Sequence, residues 1–198
     1  MVPKVIRLFD LIFSVIMLLF IFPIILLILF IDFFKTTSLL YKQERLGYKK
    51  NTFIIIKLRT MSPNTPSVGT HLTNPDSITF YGKFLRRSKL DELPQLWNVI
   101  KGEMSLVGPR PGLPNQLRLT NAREKLGVFN VKPGITGLSQ ISGVDMSTPK
   151  LIAEIVAKMI KTMSVRNYFR YIFLTLYGIG KRDRIKKNLI YNVHLNFN

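Results

Sequence analysis

LIFSVIMLLFIFPIILLILFI, residues 11–31, carries no charged side chain, and only Ser14 and Pro23 interrupt its apolar run. At 1.5 Å of rise per residue, a helix over this stretch extends about 31 Å, the depth of a bilayer's hydrocarbon. Lys4 and Arg7 precede it, as basic residues precede a signal peptide. The apolar part is too long for that role, and no small-x-small cleavage site follows Ile31. Pro23 sits near the middle, where a missing N–H and a ring clash predict a kink. Lys4 and Arg7 flank one end and Lys35, Lys42, Arg45, Lys49 and Lys50 the other. A spanning helix should show a one-sided excess of such residues. Two basic flanks suit a bent helix that enters and leaves by the same face, and a straight span tolerating its proline stays equally open.

The charge lies elsewhere. The chain has 29 Lys and Arg against 11 Asp and Glu, a net charge of +18. Residues 1–35 hold Lys4, Arg7 and Lys35 against Asp10 and Asp32, which is +1, so +17 falls in residues 36–198. Such an imbalance points to an anionic partner: nucleic acid, a phosphorylated substrate or a membrane surface. There is no cysteine, which excludes disulfides, thiolate catalysis and Cys-ligated metals. His71 and His194 are the only imidazoles, and their spacing suggests no metal site. The chemistry must run on carboxylates and cations.

Beyond the apolar stretch, residues 39–61 read as two short strands around a turn at Gly47, the second over Thr52–Leu58. Residues 62–79 are rich in Pro, Ser, Thr, Asn and Gly and read as a loop. A basic segment, Phe80–Arg87, leads to a helix expected from about Glu92 to Lys101 and closed by Gly102. Gly108, Pro109, Pro111, Gly112 and Pro114 mark one turn-rich stretch; Lys132-Pro133-Gly134, Gly137 and Gly143 mark another. In residues 151–163, Glu154, Lys158 and Lys161 recur at i, i+4 and i+7 and leave a wide apolar face. YFRYIFLTLY (168–177) is too short to span, and its aromatic content with Arg170 fits a helix lying in the membrane interface or one in a core.

The block FLRRSKLDELPQLWNVIKGEMSLVGPRP (84–111) sets adjacent carboxylates, Asp91 and Glu92, beside Arg86, Arg87 and Lys89 and ahead of Arg110, with Lys57 and Arg59 upstream on a strand. Cations bind phosphate oxygens, and a carboxylate can hold Mg²⁺ or attack phosphorus. A site for a diphosphate needs both kinds of group. Taken alone, Asp91 is more readily the N-cap of the helix starting at Glu92 than a catalytic group, and each arginine more readily part of a solvated basic face. Leu96 and Trp97 read as core.

From Asp10 to Gly143 the chain resembles the bacterial sugar transferase family, the small monotopic phosphoglycosyl transferases. The resemblance rests on FDLIFS (9–14), Pro23, QERLG (43–47), FIIIKLRTM (53–61), the 84–111 block and VKPGITGLSQISG (131–143), in the family's order. It implies transfer of a sugar 1-phosphate from a UDP-sugar to undecaprenyl phosphate with release of UMP and use of Mg²⁺, the first membrane step of surface glycan assembly (capsule, O-antigen or glycoprotein). It implies Asp91 as nucleophile and metal ligand, Glu92 as its partner, and Lys57, Arg86 and Arg110 as phosphate-binding cations; Arg59 is added from its strand position. It also implies an α/β (α+β) fold, with a re-entrant helix kinked at Pro23 (residues 1–35), a catalytic domain (36–198) and C-terminal interfacial helices. The place of action would be the cytoplasmic face of a bacterial inner membrane, with membrane lipids as further partners. Members often carry Ser where this chain has Phe22, and many have aspartates where it has Val156 and Tyr168, which keeps an inactive homologue open. A basic membrane-anchored binding protein is the other alternative, but an acidic pair among the cations and the lack of a stacking platform argue against nucleic acid.

Overall fold

The computed structural model describes residues 3–33, 40–62, 65, 74–144 and 146–178. His71, His194, Lys35 and most of the 62–79 loop lie outside the described residues. The chain is a mixed helical and β structure with one N-terminal apolar helix.

That helix, α1, runs Val5–Phe33 with Pro23 inside it. Its first turns belong to the core. Ile6 is buried. Arg7 donates to the carbonyl oxygens of Val99 (2.7 Å) and Ile100 (3.0 Å), where a following helix ends and a cation is favoured. Asp10 accepts from Ser105 Oγ (3.0 Å), the Leu106 amide (2.9 Å) and Tyr168 Oη (2.9 Å), so one carboxylate satisfies three donors. Phe9 and Phe13 meet the ring of Phe169 edge-on at 5.1 and 5.8 Å. Past Leu18, the side chains of Leu19, Phe20 and Phe30 are each more than 60% exposed. It is the one helix among the described residues long and apolar enough to cross a membrane. An apolar surface of this extent marks contact with lipid or protein.

Strands β1 (Leu40–Leu46) and β2 (Thr52–Leu58) form an antiparallel hairpin in which Gln43 faces Ile55 and Arg45 faces Phe53. The period-two pattern puts Phe53 and Ile55 in the core. The expected turn is present, but its left-handed residues are Lys49 (φ 52°) and Lys50 (φ 64°), not Gly47. Gly47 matters for space: a Cβ there would stand 3.0 Å from the ring of Phe53. Asn98, 1% exposed, ties β2 to the helix behind it, donating to Ile54 O (2.8 Å) and Glu103 Oε2 (2.7 Å) and accepting from the Ile56 amide (3.4 Å).

Helix α2 (Phe80–Ser88) follows, capped by Thr79, whose Oγ1 accepts from the Gly82 amide at 2.9 Å. Helix α3 spans Gln95–Lys101 and ends at Gly102 (φ 87°). It starts later than expected because a 3₁₀ turn over Leu90–Glu92, then Leu93 and Pro94, intervene. Leu96 is buried, whereas Trp97 is 51% exposed and is not core. The two turn-rich stretches pair: β3 (Ser105–Val107) lies parallel to β4 (Gly134–Thr136). Helices α4 (Leu117–Lys125), α5 (Leu138–Ser142), α6 (Pro149–Lys161) and α7 (Val165–Gly178) complete the core. Along α6 Glu154 and Lys161 face solvent while Ile152, Ile155, Val156 and Met159 are buried, as the spacing predicts. On α7, Tyr168 and Tyr171 are buried and Phe173, Leu176 and Tyr177 are exposed.

Candidate functional site

Asp91 and Glu92 occupy the 3₁₀ turn between α2 and α3 and are 9% and 7% exposed. Lys89, in the left-handed region at φ 63°, ends α2 and swings the chain so that the turn folds back on the end of β2. Leu90 and Tyr81 pack there around Leu58 and Leu85. Gly82 lets α2 lie close, since a Cβ would fall 2.0 Å from the Thr60 carbonyl oxygen. Asp91 does not cap α3: the N-cap position belongs to Pro94, and no side chain caps that end. Two acids are therefore buried with no helix-capping role, and their environment explains them.

Glu92 is locked. Arg110 Nη2 lies 2.8 Å from one oxygen and Lys89 Nζ 3.8 Å from the other. Burial alone would raise its pKa, but the charges of Arg110, Lys57 and Lys89 and the Arg110 hydrogen bond outweigh that and hold it well below the carboxylate range. Glu92 in turn pushes the Arg110 guanidinium up. Asp91 is the opposite case. Among the described residues no hydrogen bond occupies its carboxylate, and burial, then the neighbouring Glu92 charge, raise its pKa against the pull of Lys57, Arg86 and Lys89. Two adjacent carboxylates driven apart in this way take different roles. Lys57, half-buried on β2, is pulled down to about 8, first by desolvation and then by Arg110.

The structure thus brings Asp91, Glu92, Lys57, Arg86 and Arg110 into one electrostatic group. Arg86, in the last turn of α2, also donates from Nε to Thr60 Oγ1 at 2.8 Å. Arg59 is placed over the ring of Tyr41, 5.6 Å from its centroid. Two residues lie outside the site candidates of the sequence reading: Arg45 on β1, which enters there only as a flanking cation, and Arg123 on α4, both buried and within the field of Arg110. The available signal was polar Gln43 and Arg45 at period two on a strand whose partner strand buries Phe53 and Ile55.

A bare carboxylate among cations can attack phosphorus or bind a hard metal ion while the cations hold phosphate oxygens. Magnesium is commonly held by one or two carboxylates plus substrate phosphates. Asp91 fits that use, because Glu92 is already committed to Arg110 and Lys89. No cluster of three or more metal-ligating side chains occurs among the described residues. Val156 and Tyr168 are both fully buried. An acid at 156 would sit in the hydrophobic core, and one at 168 would face Asp10.

The family model described as bacterial sugar transferase matches residues 2–182. The chain is 32% identical over 194 residues to a UDP-galactose-lipid carrier transferase of Erwinia amylovora, covering 89% of this chain and 40% of that protein. It is 35% identical over 197 residues to an undecaprenyl-phosphate glucose phosphotransferase of Komagataeibacter xylinus, covering 92% and 36%. A UDP-glucose:undecaprenyl-phosphate glucose-1-phosphate transferase of Caulobacter vibrioides is 36% identical over 143 residues, covering 69% and 54%. The chain spans 40% and 36% of the length of the first two and just over half of the third.

Proposed function

The chain belongs to the bacterial sugar transferase family, and from that premise we propose that it transfers a sugar 1-phosphate from a UDP-sugar to undecaprenyl phosphate and releases UMP. The observation that carries the reading is the divided pair: Glu92 is locked by Arg110 and Lys89, while Asp91 beside it is free of hydrogen bonds among the described residues and lies within the field of Lys57, Arg86 and Lys89. The relatives' names supply the donor and acceptor classes.

In the proposed chemistry one oxygen of Asp91 attacks the phosphorus that bears the sugar. The bond from that phosphorus to the bridging oxygen breaks, and the electron pair leaves with UMP. An acyl phosphate then joins Asp91 to the sugar phosphate. An oxygen of the lipid phosphate attacks the same phosphorus and expels the Asp91 carboxylate, giving the lipid-linked sugar diphosphate. Lys57, Arg86 and Arg110 bind the phosphate oxygens, and Glu92 keeps Arg110 in place. Magnesium, held by Asp91 and the substrate's phosphates, would neutralise charge on the diphosphate and on the departing UMP. A raised Asp91 pKa makes the carboxylate a better nucleophile as long as it stays ionised at the working pH.

The exposed half of α1 and the outward Phe173, Leu176 and Tyr177 of α7 support a site held at a membrane surface. In this reading α1 kinks at Pro23 and re-enters, so that both its ends and the catalytic part stay on the cytoplasmic face of the inner membrane. Val156 and Tyr168 are buried, where an unpaired acid would lose its hydration.

The test is UMP release from a panel of UDP-sugars with undecaprenyl phosphate and Mg²⁺, alongside Asp91→Asn. Wild type should release UMP and form a sugar-phosphate adduct on Asp91, detectable by mass spectrometry after a single turnover. Full activity in Asp91→Asn would remove the nucleophile, and silence of wild type across the panel would remove the reaction.

A further inference from the structure

Pro109 and Pro111 flank Arg110 and have no N–H to donate, and the carbonyl oxygens of residues 109–112 tie this loop to its neighbours. Four in a row are taken, from three different parts of the fold. Pro109 O accepts from the Gly134 amide of β4 (2.8 Å) and Gly112 O from the Leu46 amide of β1 (3.0 Å). Between them, Arg110 O accepts from Arg123 Nη1 (2.8 Å) and Pro111 O from Arg45 Nη1 (3.1 Å). The backbone is pinned on both sides of Arg110, and its side chain reaches out to Glu92.

Two of those donors are costly choices. Arg123 is 2% exposed and Arg45 9%. No ion pair to a carboxylate is found for either one among the described residues. Arg123 Nε and Nη2 and Arg45 Nε are buried without acceptors among the described residues. Burial, followed by the charge of Arg110, pulls both guanidiniums down to about 10. Buried charge without a counter-charge opposes folding, so stability does not account for these residues. A guanidinium does offer a rigid, planar fork of donors that stays charged at neutral pH and can hold a carbonyl at a set distance.

We propose that Arg123, assisted by Arg45, is a positioning residue that fixes the 109–112 backbone so that the Arg110 side chain meets Glu92 and the transferring phosphate together. The proposal rests on the function above for its kinetic consequence and on the hydrogen bonds alone for its structural one.

The experiment uses the full chain in lipid nanodiscs as wild type, Arg123→Met, Arg123→Lys, Arg110→Ala and the Arg110→Ala/Arg123→Met double variant. Two readouts are taken: UMP-release kinetics, and hydrogen–deuterium exchange of the segment around residues 108–116. Arg123→Met should keep or raise the melting temperature, speed exchange in that segment, and lower kcat/KM on the order of 10- to 100-fold, as a catalytic group displaced by about an ångström does. Arg123→Lys should recover part of the loss. In the Arg110→Ala background Arg123→Met should cost nothing further, because its effect runs through Arg110. Additive losses, unchanged exchange, or collapse of folding in both Arg123 variants would overturn the proposal and leave Arg123 a structural or independent residue. A wild type without UMP release would instead count against the function, and the exchange data would still decide the clamp.

Discussion

Lys57→Arg gives the sharpest test of the site's electrostatics. Lys57 is pulled from 10.5 to about 8 by desolvation and by Arg110. A cation that binds a phosphate must be protonated, and kcat/KM reports the free enzyme. The kcat/KM profile should therefore bend downward near pH 8 and fall about tenfold per further pH unit. Arginine stays charged throughout, so Lys57→Arg should remove that basic limb while lowering the plateau through imperfect geometry. Stability runs the other way. The gap from 10.5 to about 8, at about 1.36 kcal/mol per pH unit, sets about 3 kcal/mol against the ammonium form below pH 8, an upper figure for a half-buried group. Between about pH 8 and 10.5 the unfolded chain binds the proton and the folded one does not, so stability contributed by this group rises there. Lys57→Met should accordingly raise the melting temperature at pH 7 and abolish turnover. The assays are initial rates of UMP release from pH 6 to 10 and melting curves over the same range. A basic limb unchanged in Lys57→Arg would refute the placement of Lys57 in the phosphate-binding group.

Three further outcomes are expected. Pro23→Ala should straighten α1 and carry residue 1 to the far side of the membrane; cysteine-accessibility labelling that finds the N-terminus unmoved counts against re-entry. Asn98→Ala removes three hydrogen bonds at a 1% exposed position and should cost about 3 kcal/mol in denaturant unfolding while loosening β2 and with it Lys57. Gly82→Ala would force a Cβ to within 2.0 Å of the Thr60 carbonyl oxygen, so α2 must shift, breaking the Arg86–Thr60 contact, with a destabilisation on the order of 3 kcal/mol and loss of activity.

Local periodicity was enough to locate β1 and β2 and the polar stripe of α6, because each depends on which neighbours in the chain are apolar. The apolar run of α1 was legible for the same reason. The late start of α3 was not, since it follows from a left-handed Lys89 and a 3₁₀ turn packed on Leu58 and Leu85, contacts distant in sequence. The exposure of Trp97 is a similar case: its helix register was right, but the face it occupies is set by what α1 and β2 cover. The parallel pairing of β3 with β4 was hidden in two stretches that read only as turns. Its geometry requires Gly108 and Gly134 to approach so closely that a Cβ on Gly134 would lie 2.0 Å from the Gly108 amide. Of the site, the acids and Arg110 were legible as a block, whereas Arg45 and Arg123 become visible only once the 109–112 loop is in place.

The cations and acids of the site do not balance. Lys57, Arg86, Lys89 and Arg110 face Asp91 and Glu92, and Arg45 and Arg123 stand behind them, so six positive groups against two negative leave a surplus of four. A fold selected for stability alone would not bury Arg45 and Arg123 behind the other four, because each loses hydration without recovering it in a carboxylate among the described residues. The lowered values of Lys57, Arg45 and Arg123 are the visible sign of that tension. In the proposed reaction it is resolved by an anion of high charge entering beside the carboxylate that the cations leave uncovered, and a diphosphate is such a group. The same surplus explains why Glu92 is needed. Without one fixed negative charge at its centre, Arg110, Lys57 and Lys89 would repel one another out of register before any substrate arrived.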